Sequence, residues 1–420
     1  MSEFQDYLAK VESLGFTPEQ NAVLQLYRDA GREIIGPAGR RVDQDRVFPH
    51  ASVDALRARG LTGLCVPKAY GGLGAGSQGD QLLLMAATME LASWCSSTSQ
   101  VMSAHNACMQ LVADVGTEAQ KQFFFGEALQ GHLFATFGAE ANANRFMIGS
   151  KIASAGDGFA LTGRKHFATS STGAKWALWV AVNDAGELLL PIIELAAPGV
   201  TVTDNWAGIG QRGTGSGVAA AESVAVPAAH VLDASHPNFR DGSTTMGNLQ
   251  FAAQFTGMAI GAYRSGLAYV REKSRPWKGL EHASEDPFIR LRVADMSVKI
   301  QAARALVLQA AQVLKTYEND PSMDELVAVG VSQAKVMATE AALDVTSQVF
   351  QVMGASSATT THGFDRFFRN ARTLTLHDPV DRRREMIGMH ELGYFAPDVL
   401  IIKASGHAEA APASPAPAAG

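Results

Sequence analysis

Lys151-Ile152-Ala153-Ser154-Ala155 and Phe159-Ala160-Leu161-Thr162, on either side of Asp157-Gly158, are the stretch that decides the fold. Two short runs parted by a turn pair read as a β-hairpin. Residues 176–182 and 188–193 repeat the arrangement around Asn183-Asp184-Ala185-Gly186, and Gly199-Val200-Thr201-Val202 and 217–226 extend the alternation. Together they predict an antiparallel β domain over 134–233. Outside it the texture is helical, so an α, β, α order with helices segregated from the sheet places the chain in the α+β class.

Ahead of the β domain, Val23, Leu24, Leu26, Tyr27, Ala30 and Ile34 recur mostly at intervals of three and four, which predicts a helix over 19–35 that Pro18 suits as a start. Residues 52–59 repeat the pattern, with Ser52 as the expected N-cap and Gly60 as the stop. A Pro- and Gly-rich loop at 64–74 follows, then helices at 79–92, 98–116 and 118–129. Beyond the β domain, helices are predicted at 244–273, 286–317, 324–351 and 381–392, and four such amphipathic segments bury their apolar faces best as a bundle. Gly257, Gly261 and Gly266 lower helix propensity in the first of them, which points to close approach of a neighbouring helix or a ligand. The expected domains are an N-terminal helical domain (1–133), the middle β domain (134–233), a C-terminal helical bundle (234–403) and a disordered Ala/Pro/Gly tail (404–420).

At 420 residues the chain exceeds the size at which one core stops growing, so several subdomains are expected. Hydrophobic residues at 47%, charged residues at 18% and a net charge of −6 give no electrostatic footprint for nucleic acid. Cys65, Cys95 and Cys108 match no zinc or redox spacing, so no metal is expected and the reducing cytoplasm is the predicted compartment. Neither a signal peptide at 1–10 nor a membrane-length apolar run is found.

A second stretch carries the chemistry. His362-Gly363-Phe364-Asp365-Arg366-Phe367-Phe368-Arg369-Asn370-Ala371-Arg372-Thr373-Leu374-Thr375-Leu376-His377-Asp378-Pro379-Val380 gathers more convergent polar and aromatic side chains than a solvated loop needs. With the hairpin phrase 158–170, the Gly210-Gln211-Arg212-Gly213-Thr214-Gly215-Ser216-Gly217 segment, Ser274-Arg275-Pro276-Trp277 and Arg369-Asn370-Ala371-Arg372, it resembles the acyl-CoA dehydrogenase superfamily of flavoproteins over about 19–402. The resemblance implies the acyl-CoA dehydrogenase fold.

Dehydrogenases of that superfamily carry a glutamate base in a Glu-Gly-Thr phrase after the arginine run, or on the first bundle helix. Here His377-Asp378-Pro379 occupies the first place, and 246–263 contains no Asp or Glu. The phrase Leu376-His377-Asp378-Pro379-Val380 instead resembles the two-component flavin monooxygenases of this fold, of the dibenzothiophene monooxygenase type. That resemblance implies oxygenation of an organosulfur compound by O2 through a flavin C4a-hydroperoxide, with reduced flavin supplied by a separate NAD(P)H-dependent flavin reductase. FMN, as FMNH2, is the expected cofactor, FAD the alternative, and a homotetramer the expected assembly. An FAD-dependent acyl-CoA dehydrogenase or oxidase, an N- or C-hydroxylating flavin monooxygenase, and a non-catalytic flavin-fold protein are the competing readings.

Imidazole, with an ordinary pKa of about 6.5, is mostly uncharged near pH 7 and can donate a hydrogen bond without flooding a dry site with protons. His377 is the candidate for that role, and His105 for a second active-site histidine; a backbone-bonding loop histidine and a satisfied core histidine are the plainer alternatives. Asp378, before proline, reads more readily as a turn residue than as a displaced base. For the flavin, the resemblance implies Phe137 and Ala139 in the 137–140 loop, with Asn142 and Asn144 departing from the family phrase. It further implies Thr169 and Ser170 after the hairpin, Ser216 in the Gly-Gln-Arg segment, and Trp277 stacked nearby. Arg275 and Arg369 are the expected phosphate ligands, since a guanidinium fork matches phosphate, one of them reaching across from a neighbouring subunit.

Overall fold

Thr17 starts the first helix: its hydroxyl accepts the Gln20 N–H, the Gln20 side chain returns a bond to the Thr17 N–H, and Pro18 supplies a preset φ at the first turn. The computed structural model describes residues 15–77, 79–141, 147–236, 239, 245–317 and 320–394. Asn142, Asn144 and the 404–420 tail lie outside the described residues. Helix α1 (Pro18–Ala30) passes through a π turn (Gly31–Ile35) into α2 (Gly36–Gln44). Helix α3 (His50–Arg57) begins after Pro49, two residues before the expected cap; Ser52 is buried inside it and caps nothing. Gly60 closes it in the left-handed region at φ 71°. Helices α4 (Gln81–Trp94), α5 (Ser96–Val115) and α6 (Glu118–Leu129) complete the first domain.

The sheet comprises β1 (Phe134–Phe137), β2 (Lys151–Ala155), β3 (Gly158–Lys165), β4 (Trp176–Trp179), β5 (Ala181–Val182), β6 (Leu188–Glu194), β7 (Val200–Thr203), β8 (Val218–Pro227) and β9 (Val231–Asp233). Its order is β1-β4-β6-β5-β2-β3-β8-β7, with β9 on β6. Pairing is antiparallel except for β1 with β4 and β2 with β5, which are parallel. The deciding hairpin is present one residue out of place: Ala155 pairs with Gly158, so Gly156-Asp157 forms the turn and Gly156 takes φ 58°. A two-residue turn with a left-handed first position matches the twist of the flanking strands. The single strand expected over 176–182 breaks at Val180, whose carbonyl accepts from Lys165 Nζ at 2.7 Å.

The C-terminal bundle is α7 (Met246–Glu272), α8 (Pro287–Tyr317), α9 (Asp324–Met353) and α11 (Val380–Glu391), with the short α10 (Asp365–Leu374) laid across it. Among the described residues α9 alone is long and apolar enough to cross a membrane, and its apolar side is buried against α7 and α8, as in the core helix of a bundle. Close approach explains the glycines in α7: a Cβ at Gly257 would stand 2.3 Å from Met89 O, and one at Gly261 2.2 Å from Ser93 O. The α7 backbone therefore lies directly on α4, which joins the bundle to the first domain.

Candidate active site

Three of the expected flavin residues are brought together where β3 leaves the sheet. Thr169 Oγ1 lies 2.8 Å from Ser216 Oγ, and Ser216 Oγ 2.6 Å from Thr214 Oγ1, which donates to Gln211 O at 2.8 Å. Because Thr214 gives its proton to a carbonyl, Ser216 donates to Thr214 and Thr169 to Ser216, so this hydroxyl chain offers a ligand acceptors. Backbone bonds from Ser170 to Thr214 (2.9 Å) and from Ala168 to Gly217 (3.0 Å) hold the two segments side by side. Ser170 itself is forced to φ 73°, and Gln211 to φ 53°.

On these two joined segments Ser170 Oγ, Gln211 Oε1 and Arg212 Nε are buried without a partner. A buried polar atom left unpaired costs about 1–3 kcal/mol, so three in adjoining segments leave bonding capacity that a polar ligand can complete. Arg212 was missed in the sequence, although it sits inside the quoted Gly-Gln-Arg segment; its guanidinium makes no ion pair among those found in the described residues.

The 137–140 loop lies against the same corner: Ala139 is exposed, and its carbonyl accepts the His166 N–H at 2.9 Å. Phe137 is buried with its ring edge-on to Trp179, so it presents backbone rather than side chain to any ligand. Glu140 anchors the loop. Its carboxylate accepts from Lys165 Nζ (2.6 Å), Ser150 Oγ (2.7 Å) and the Gly149 N–H (2.6 Å), while Trp179 Nε1 donates to Ser150 Oγ at 2.9 Å. Burial would raise the Glu140 pKa, but Lys165 and Ser150 outweigh it and hold it at about 2.

The arginines divide. Arg369 is engaged by protein partners: its Nε donates to Asp365 (2.8 Å), and its terminal nitrogens grip both oxygens of Asp43 and the Ile209 carbonyl. Burial alone would lower its pKa, yet the bonds to Asp43 and Asp365 raise it, so the guanidinium clamps α10 to α2. Arg275 and Trp277 are exposed, Trp277 at 75%, in a separate cleft of about 480 Å³ between the α7–α8 connection and the end of α9. They are not joined to the Thr169–Ser216 corner within one chain.

The histidines divide as well. His105 lies inside the core: it has no exposed surface, its Nε2 lies 2.8 Å from Thr62 O, and its Nδ1 accepts the Phe134 N–H at 3.2 Å. Burial lowers its pKa to about 4 despite the Thr62 bond, so it is a neutral strut between α5 and β1. Neighbouring Asn106 is buried with Oδ1 unpartnered. His377, beyond the end of α10, is exposed and packs its ring on Phe251 of α7, centroids 4.4 Å apart. Asp378 is bonded to Lys335 (2.6 Å) and Arg383 (3.0 Å); burial would raise its pKa, but these cations lower it, so it serves as a counterion.

Gln211 ties the two halves of the site. Its N–H donates to Asn370 Oδ1 at 2.6 Å and its amide to Ser96 at the start of α5. His377 follows Asn370 along and just past α10, about 10 Å away at helical rise.

A superfamily of helix–sheet–helix flavoproteins is what this fold and corner define. The family described as acyl-CoA dehydrogenase, N-terminal domain, matches residues 17–132, and acyl-CoA dehydrogenase, C-terminal domain, matches 249–382. The chain is 31% identical to the dibenzothiophene monooxygenase of Rhodococcus qingshengii over 84% of its length and 89% of the relative's. It is also 31% identical to a probable FMNH2-dependent monooxygenase, SfnC, of Pseudomonas putida, over 90% and 95%. Among solved structures, FMN-bound TdsC from Paenibacillus sp. A11-2 superimposes with a TM-score of 0.82 at 26% identity, covering 89% of this chain and 98% of that one. The chain belongs to the acyl-CoA dehydrogenase superfamily, in the branch of the dibenzothiophene monooxygenase-like flavin enzymes.

Proposed function

We propose that this protein is a monooxygenase that uses reduced FMN, supplied by an NAD(P)H-dependent flavin reductase, to place one oxygen atom from O2 on an organosulfur substrate. The carrying observation is at 377–378. Where a dehydrogenase of this fold needs a free carboxylate base, the chain has an exposed imidazole, and the adjoining carboxylate is bound to Lys335 and Arg383. The names of the similar proteins, a dibenzothiophene monooxygenase, an FMNH2-dependent monooxygenase and an FMN-bound enzyme, support the same reading.

The orphaned atoms of Ser170, Gln211 and Arg212, with the acceptors of Thr169 and Ser216 and the 137–140 backbone, fit a group that has both ring polar atoms and a phosphate. Bound in reduced form, that flavin supplies the electrons that activate O2 for transfer to an electron-rich sulfur. His377 offers a ring N–H to the reacting oxygen, and Phe251 supports the imidazole by packing against it. Arg275 and Trp277 serve the flavin of an adjacent copy in a cytoplasmic homotetramer, which accounts for their exposure in a single chain.

The test is reconstitution with a flavin reductase, NADH, FMN and a thiophenic sulfide under ¹⁸O2. One labelled oxygen in the product is expected from a protein purified colourless. His377→Ala is expected to lower product formation on the order of 10²-fold, with hydrogen peroxide release rising and reduced-FMN affinity kept. A yellow protein with stoichiometric FAD that an acyl-CoA bleaches would overturn the reading.

A further inference from the structure

Behind the His377 ring lies a buried ionic cluster to which the oxygen transfer just described gives no part. Lys335, in the middle of α9, has a side chain 2% exposed. Its ammonium donates to Asn248 Oδ1 on α7 and, at 2.6 Å, to Asp378 Oδ2. Arg383 of α11 donates from Nε to the same Asp378 oxygen at 3.0 Å and reaches the other oxygen at 3.4 Å. The same ammonium stands 5.8 Å from the centroid of Phe251, the ring on which His377 packs. One buried cation therefore fixes both the backbone neighbour of His377 and its stacking partner.

Packing alone does not call for a charge there. Burying an ammonium is expensive, and apolar groups of similar volume are often as stable or more so. The strain is visible in Lys335 itself, whose pKa burial pulls down to about 8 although Asp378 works to raise it. The buried charge stands at a spot whose distinguishing feature is the imidazole beside it. Resting on the reading of His377 given above, we propose that Lys335 is a positioning residue, which through Asp378 and Phe251 fixes the orientation of the His377 imidazole toward the reacting oxygen. Asn248 completes the device by orienting the ammonium, and Arg383 closes the remaining side of Asp378.

Lys335→Met keeps an unbranched side chain, one atom shorter, and removes the charge; Lys335→Arg restores a cation. Two readouts separate positioning from mere stability. The first is the rate at which diethylpyrocarbonate modifies His377 in the flavin-free protein, followed by peptide mass spectrometry against exposed His282 as internal reference. The second is product formed per NADH in the reconstituted enzyme. Lys335→Met is expected to raise the His377 rate relative to His282 and to lower coupling on the order of 10-fold, since a small misplacement of a reacting group is costly, and Lys335→Arg is expected to recover both. Should Lys335→Met fail to fold, Asn248→Ala removes one acceptor of the ammonium and is read in the same way.

Unaltered His377 reactivity in a folded Lys335→Met protein overturns the proposal, whatever happens to coupling. Altered reactivity together with full coupling in His377→Ala would leave Lys335 as the residue that positions His377 and remove His377 from the reaction.

Discussion

In the folded chain His105 stays neutral down to about pH 4, because burial outweighs the Thr62 bond that would raise its pKa, whereas in the unfolded chain it takes a proton near pH 6.5. Between those values the unfolded chain binds more protons, so stability falls as pH falls, by on the order of 3 kcal/mol across the window. Glu140 works lower: its folded pKa of about 2 lies below the ordinary 4.5, so its contribution is present above pH 4.5 and is lost as pH falls toward 2. His230, whose pKa burial also lowers, acts in the same direction, so urea unfolding between pH 7 and pH 5 isolates His105 when parent and variant are compared. His105→Gln is expected to be less stable at pH 7, to show a flatter pH slope over that range, and to keep its coupling of oxygen to product; a slope equal to that of the parent would assign the titration to another group. Residue chemistry was legible where it is local. Thr169, Ser170 and Ser216 follow a hairpin and a glycine-rich segment that announce themselves. The surroundings of Arg369 were not legible because its partner Asp43 lies 326 positions away, nor those of His105, because Thr62 and Phe134 are equally invisible from its own helix.

Among the elements, the Gly210–Gly217 loop and α10 form the joint on which the site depends. A Cβ at Gly210 would stand 2.1 Å from Arg369 O and 2.6 Å from Asn370 N, backbone atoms of a helix that cannot move aside cheaply. Gly210→Ala is expected to destabilise the protein by about 1–3 kcal/mol and to weaken FMN binding, as the loop lifts from α10 and Gln211 loses Asn370. Gly126, in α6 with open space around it, provides the control: alanine there is expected to raise stability by about 0.5–1 kcal/mol and leave FMN affinity alone. Thermal melts and reduced-FMN titrations of the two variants decide it. Long helices with period-3.6 faces were readable within a few residues, as were the strands beside Asn- and Gly-containing turns. Helix α10 was not, because ten residues with three arginines bury only Phe367, Asn370, Ala371 and Leu374, a face that becomes apparent once the loop is seated on it.

For the molecule as a whole, the decisive relation is between the Thr169–Ser216 corner with His377 and the separate cleft that holds Arg275 and Trp277. If one copy supplies the hydroxyl corner and imidazole while its two-fold partner supplies the arginine, each complete site draws on two chains, and the contact must be reciprocal. Arg275→Ala and His377→Ala, each inactive alone, are then complementary. In a mixed dimer one site joins an intact His377 to an intact Arg275, and the other combines both lesions. Random assembly of equal amounts makes half the dimers mixed with one good site of two, so recovery to about a quarter of the parent rate is expected after co-expression. A site built within a single chain recovers nothing, because every site keeps one lesion. Mixing the two purified variants without subunit exchange is the matching control and is expected to stay inactive. Recovery in the co-expressed sample alone would place Arg275 at the neighbour's flavin, and its absence would confine Arg275 and Trp277 to a surface cleft.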